Sequence, residues 1–302
     1  MKTHSVLSLF WILVAILATP NVQAQTNWSV AACGNGIYNW STSMCWSAGS
    51  APTSGNVNIF NTGPTSITVN DDLAASLGSL QITGTGATIT LSQPSTGLAS
   101  NSETIAGNMA SAATAEHVQT GGSNAVSGPL TINAFGTYTF QGGNLTAGSI
   151  KVNAGEFNVD SGAILTISRR GTWLGTENGA TIQNGVTGAA TLNNDADGLI
   201  ANTGGGMLFN WSGSTLTNGL NSAAITINDA GAYLWNEGIF TAGCLSSCVP
   251  STVTLNNLSG SFLINGYSGA ATLINDGGAI LNNTGRLSVL YNRLGSLSIA
   301  AS

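Results

Sequence analysis

The stretch GAATLNNDADGLIANTG at residues 188–204 returns as SAAITINDAGAYLWNEG at 222–238 and as GAATLINDGGAILNNTG at 269–285. The copies align without gaps, and the third shares ten of seventeen positions with each of the others. The common frame is Ala-Ala, a short apolar stretch, Asn-Asp, a turn, an apolar pair, and Asn-x-Gly. Strands this short cannot bury themselves as isolated hairpins, but stacked copies can share one continuous core. The copies are unequally spaced: the step from 222 to 269 is longer than the step from 188 to 222. That extra length is read as a loop inserted between repeats, containing Cys244 and Cys248.

A shorter echo, Gly-Ser-apolar-x-apolar, starts at Gly78, Gly148 and Gly295. Between these landmarks the chain runs as apolar bursts such as Leu130-Thr131-Ile132 and Phe157-Asn158-Val159, broken by Gly, Asn or Asp. Charged residues make up only 6% of the chain, so ordinary helical surfaces are not available to it, whereas 42% apolar content supplies a core. Ala106 to Val118 is Ala-rich, but Gly107 and Asn108 weaken a helix there. The pattern predicts an all-β parallel solenoid with like residues stacked along its axis. Asn194, Asn228 and Asn275 align across the copies, as do Asn202, Asn236 and Asn283, and stacked amides form hydrogen-bonded ladders. Asp195, Asp229 and Asp276 also align; stacked carboxylates repel, which puts them at solvated turns.

Glu116-His117-Val118-Gln119-Thr120-Gly121-Gly122-Ser123-Asn124-Ala125-Val126-Ser127-Gly128, continued by Gly136-Thr137-Tyr138-Thr139-Phe140-Gln141-Gly142-Gly143-Asn144-Leu145-Thr146-Ala147, resembles the repeats of autotransporter-type passengers and PEP-CTERM-type exported bacterial proteins. The later Asn-Asn and Asn-Thr-Gly segments resemble them too. The likeness covers about residues 50–300 in style and about 35 residues in motif. It implies a pectin-lyase-like or haemagglutinin-like right-handed parallel β-helix displayed outside the cell. The chain departs from those families in having no recognisable barrel segment or Val-Pro-Glu-Pro sorting tail.

Residues 1–24 read as a cleaved signal peptide: Lys2 and His4, an apolar run from Val6 to Ala18, Pro20, and Val22-Gln23-Ala24 before the cut. The run is short for a membrane span, and no second one follows. The mature chain then carries five basic against twelve acidic residues, a balance that disfavours nucleic acid and anionic membranes. Four cysteines in an exported chain predict disulfides, Cys33–Cys45 and Cys244–Cys248 as local pairs. A zinc site is the alternative, disfavoured because His117 is the only mature histidine and neither pair has Cys-x2-Cys spacing. Residues 25–55, with Trp28, Tyr38, Trp40 and Trp46, read as a disulfide-pinned N-terminal cap, and 56–302 as the solenoid.

No catalytic centre is evident. Asn193 to Gly198 imitates half a calcium loop, but Gly204 stands where a bidentate carboxylate is required. Asp71-Asp72 suggests a paired-carboxylate hydrolase, against the plainer reading of a solvated turn. Glu116 and His117 are adjacent, and neighbours on a strand point to opposite faces. Arg169-Arg170 is the one basic spot, read as a solvated corner against the alternative of an anionic-sugar contact. Neither Gly-x-Ser-x-Gly nor a phosphate-cradling Gly-rich motif with Lys occurs, and no cofactor or metal is expected. Tyr233 and Trp235 flank Leu234; with Leu234 inward they stand outward as a sugar-stacking pair, unless they pack under the Cys244–Cys248 loop.

These features lead to an exported, non-enzymatic surface or matrix protein, an adhesin-like binder of carbohydrate or cell surface. The rival readings are a polysaccharide lyase or hydrolase on the same scaffold and a truncated autotransporter passenger. The strand-like end at Ser296–Ile299 predicts end-to-end self-association or a longer reading frame.

Overall fold

The computed structural model describes residues 36–167 without a break, with 25–28, Cys33, 173–186, 188–194, 199–202, 205–210 and 214–218. Beyond these it describes the chain only along the strands at 225–228, 233–237, 254–257, 262–265, 272–276, 280–283, 289–292 and 296–299. The signal segment 1–24, Arg169, Arg170, Cys244 and Cys248 lie outside the described residues.

Strands follow one another around three faces and pair in parallel with the equivalent strand one turn away. Face I begins with Gln25–Asn27, Asn56–Asn61, Ser79–Gly84 and Glu103–Ala106. Face II is an 11-stranded sheet that runs from Ile37–Asn39 through Ile89–Gln93, Ala115–Gln119 and Gly136–Phe140 to Ser296–Ile299. Face III holds the short strands Ala75–Leu77 and Gly97–Ser100, continues into the first halves of the long strands Ser123–Ile132 and Asn144–Asn153, whose second halves belong to face I, and resumes as a separate 5-stranded sheet from Ile164–Ile167 to Ile280–Asn283. The parallel β-solenoid expected from the repeats is the fold. The Ala-rich segment 106–118 is no helix: Asn108 and Ala113 close a tight excursion, and Ala115 opens a strand of face II.

Alternation on each strand sends every second side chain into the core, and parallel register stacks it on its equivalents. On face I, Ile59, Ile82, Ile105, Ile132 and Val152 form one such buried column. On face II, Leu91, His117, Tyr138, Phe157, Ile182 and Leu208 form another. Burying a Leu- or Ile-sized side chain contributes about 1.5–3 kcal/mol, so these columns hold the rungs together.

Three tryptophans fill the core at the first rung. Trp46 stands edge-on to Trp28 at 4.9 Å and donates its Nε1–H to the Trp40 carbonyl at 2.7 Å. Trp40 in turn donates to the Pro52 carbonyl at 2.9 Å. The expected Cys33–Cys45 disulfide is present, and Tyr38 donates to the Cys33 carbonyl. Residues 25–27 and 37–39 are themselves strands of faces I and II.

The register corrects which asparagines stack. Asn194, Asn228 and Asn275 do not lie over one another. Asn194 is in line with Asn218, Asn257 and Asn283 on face III. Asn228 belongs with Asn202, Asn265 and Asn292 on face I, and Asn275 with Asn184, Asn210 and Asn236 on face II. The reason is the length of a turn. Thr181, Met207 and Tyr233 are successive register partners, so one full turn carries the chain from 181 to 207 and the next from 207 to 233. The step from 188 to 222 between the first two sequence copies is longer than that, because it is one turn plus one face. The repeat visible in sequence is a strand–corner–strand unit that recurs at every corner.

The extra length before the third copy is also located. Tyr233 pairs with Thr272 and Thr215 with Thr254, so register resumes on both faces across residues 238–253.

Two measurements test this architecture. The 11 strands of face II, at about 4.8 Å per rung, predict a rod on the order of 50 Å long, to be read by small-angle scattering alongside a β-dominated circular dichroism spectrum. Asn184 donates to Asn210 Oδ1 at 2.7 Å and to the Thr215 carbonyl at 2.8 Å, both from Nδ2. Asn184→Ala should lower unfolding stability by about 2 kcal/mol in denaturant titration, because it leaves buried acceptors without their donor.

Candidate functional site

The described part of the chain buries one cluster of chemically versatile side chains inside the solenoid. On face I, Glu103 pairs in register with Leu80 and Leu130, so a carboxylate stands between two aliphatic neighbours in its column. Across the core, His117 sits between Leu91 and Tyr138 on face II. Both are fully buried, and His117 Nδ1 lies 2.5 Å from Glu103 Oε1.

Hydrogen-bond directions follow from the groups at the ends of the network. Gln93 donates through Nε2 to the carbonyls of Thr96 and Ser123 at 3.1 and 2.9 Å, which fixes its Oε1 as an acceptor. His117 Nε2, 3.2 Å from that oxygen, therefore carries a hydrogen. The other ring nitrogen, Nδ1, faces Glu103 Oε1 within hydrogen-bonding distance. Asn124 Nδ2 donates to Glu103 Oε2 at 2.8 Å and to the Tyr138 hydroxyl at 3.1 Å. Tyr138 donates to Gln119 Oε1 at 2.6 Å, and Gln119 Nε2 closes the chain on the Asn144 carbonyl at 3.0 Å. Burial first, and the Glu103 carboxylate second, hold the Tyr138 phenol well above its ordinary range, so it remains a donor. The His117 ring also packs against Tyr138 at 4.7 Å, and Tyr138 stacks on Phe157 at 5.7 Å.

This constellation contains a base, its orienting carboxylate and a phenol, the components of acid–base catalysis. It lacks access: every member is at most 1% exposed. Its evident work is to satisfy polar groups that burial would otherwise penalise by several kcal/mol each.

The residues singled out in sequence are distributed differently. Glu116 and His117 do point to opposite sides, and Glu116 accepts from Thr90 Oγ1 at 3.2 Å on the outer surface. Asp72 accepts from Ser41 N at 2.8 Å and Ser41 Oγ at 2.6 Å. Asp71, read as part of a solvated turn, is fully buried, which corrects that reading. Leu234 is buried, and the strand places Tyr233 and Trp235 on the register rows of the half-buried Met207 and Phe209. The two aromatic side chains themselves, and the proposed Cys244–Cys248 pair, lie outside the described residues.

Glu103, Gln93, Gln119, Asn124 and Tyr138 were not anticipated. A signal for Glu103 existed. Leu80-Gln81-Ile82, Glu103-Thr104-Ile105, Leu130-Thr131-Ile132 and Ile150-Lys151-Val152 share one register, with a carboxylate in place of the first apolar residue. Its partner His117 could not be found the same way, because it lies on another face.

Asp71 provides a pH test. Burial raises its carboxyl above the ordinary value of 3.8, opposed by the hydrogen bond to Thr96 and the charge of His117. Thr96 Oγ1 lies 2.5 Å from Asp71 Oδ2 and 2.9 Å from the Asp71 carbonyl. That hydroxyl donates to the carboxylate and favours its ionised form, but burial outweighs it. With the folded value raised, stability is fully present below 3.8 and declines as pH rises through the folded value. Asp71→Asn, which mimics the neutral form, should match the wild type below pH 3.8 and melt a few degrees higher at pH 7 in thermal scans.

No protein-family model matches the chain, and no curated protein or solved structure is detectably similar to it.

Proposed function

We propose that this chain is an exported, non-enzymatic surface or matrix protein that presents the outside of a rigid solenoid to carbohydrate or to a cell surface. The observation that supports this reading is the sealed Glu103–His117 pair. The one histidine of the mature chain and the carboxylate beside it are spent in the core, bonded to core amides at both ends. Outside, rows of polar side chains stand in register. On face II, Thr68, Thr90, Thr137 and Thr181 share one outward row with Glu116 and Glu156. Repeated weak contacts along such a row add by multivalency, which suits adhesion better than turnover. Export, cleavage after Ala24 and display outside the cell belong to the same proposal, supported by the signal-like N-terminus and the Cys33–Cys45 disulfide. No helix among the described residues is long and apolar enough to cross a membrane.

The test is made on the purified mature chain. It should release no reducing ends or unsaturated products from neutral or acidic polysaccharides, and it should bind glycans or cells. Tyr233→Ala with Trp235→Ala should weaken that binding and leave the β spectrum unchanged. Depolymerisation abolished by Asp71→Asn or Asp72→Asn would replace this reading with the hydrolase.

A further inference from the structure

Phe135 occupies a backbone position that suits it badly. It turns the corner into face II with φ +59°, in the left-handed region that bulky side chains avoid. At the same corner on following rungs the left-handed residues are Ala154, then Asn178 with Gly179, then Gly205, all small or tolerant of that conformation. The chain also clears room for it: a Cβ on Gly107 would stand 2.4 Å from Phe135 Cβ and 2.6 Å from its carbonyl oxygen. The result is an exposed aromatic residue, 39% accessible. Strain of this kind persists where the surrounding structure fixes it, and it concentrates at ligand sites.

Beside the ring lies an open groove of about 360 Å³. Because Ala154 and Gly155 follow Phe135 and Gly136 on the next rung, the floor is low; Thr137, Glu156 and Thr181 rise along it. Those three are register partners, about 4.8 Å apart from rung to rung. Gln183 Nε2 holds Glu156 Oε1 at 2.5 Å, which orients the carboxylate and leaves Oε2 as an acceptor. A ring face for C–H stacking, two hydroxyls that donate or accept, and a fixed carboxylate that accepts are the groups that recognise a pyranose. The carboxylate and the acidic balance of the chain repel an anionic sugar.

We propose that this corner is a binding subsite for a neutral pyranose residue of a glycan, stacked on Phe135 and held by Glu156, Thr137 and Thr181. The proposal rests on the surface-binding reading above and gives it a second, separate place on the rod.

The experiment measures binding of the mature chain to cellohexaose, laminarihexaose, mannohexaose and oligogalacturonate, with thermal unfolding of each variant. The wild type should bind a neutral oligosaccharide and not oligogalacturonate. Phe135→Gly should weaken binding at least tenfold while Tm holds or rises, since glycine relieves the left-handed strain. Glu156→Gln should weaken neutral binding and reduce the discrimination against oligogalacturonate. Unchanged binding in Phe135→Gly overturns the subsite, and so does a loss of binding matched by a fall in Tm, which would make the ring a packing residue. Binding to cells but to none of the oligosaccharides overturns the subsite and leaves the surface-binding reading standing. Binding to neither overturns both.

Discussion

Parallel, in-register stacking of each strand on its equivalent one turn away is the constraint from which the rest of this molecule follows. It obliges every inward position to form a column, and a column is only as stable as its least compatible member. Aliphatic columns meet the demand by dispersion and exclusion of water. The face I column runs Ile59, Ile82, Ile105, Ile132, Val152 and then turns polar at Thr176, which donates to Asn202 Oδ1 at 2.9 Å. From there the same register row carries Asn228, Asn265 and Asn292. An amide is the polar group that can replace an aliphatic one in a column, because it both donates and accepts along the axis.

A carboxylate has no such option. Glu103 cannot stack on Leu80 or Leu130, so it must be satisfied across the core. His117 and Asn124 supply that satisfaction from face II and face III, and Gln93, Gln119 and Tyr138 complete the chain outward to backbone carbonyls. One incompatible residue in a column thus calls for several polar residues around it. A network of this kind does not add stability over an apolar core. It ties faces I, II and III to one another in a single arrangement.

The sequence made the fold class legible because solenoid strands advertise themselves by short apolar bursts and recurrent turns. Cys33 and Cys45 were legible as a pair because they are close in the chain. The stacking partners were not. Asn194, Asn228 and Asn275 look equivalent because the strand–corner–strand unit is the same on every face, whereas stacking depends on a turn length that insertions and short rungs vary. The rung that carries Thr137 to its partner Glu156 is visibly shorter than the one that carries Thr181 to Met207. The buried network was illegible for a related reason: its members are brought together across the core from positions 14 to 24 residues apart, with no common spacing. Asp71-Asp72 misled because adjacency in sequence says nothing about which of two neighbours faces inward.

The same constraint explains where the chain tolerates change. A corner lies outside the stacked columns, so what is added there does not propagate. Between Tyr233–Glu237 on face II and Thr254–Asn257 on face III more residues intervene than between the matching strands of other rungs, and Leu234–Leu273 and Leu216–Leu255 remain register partners. The face I–face II corner absorbs the excursion closed by Asn108 and Ala113, and Ala115 still pairs with Ile89 and Gly136. Loop closure grows only slowly in cost with length, so such additions are thermodynamically mild. Phe135 sits at this second corner, one rung on, where a side chain can be exchanged without disturbing a column. Function on a solenoid is therefore freest to arise at corners and on outward rows, while the inward rows are committed to stacking.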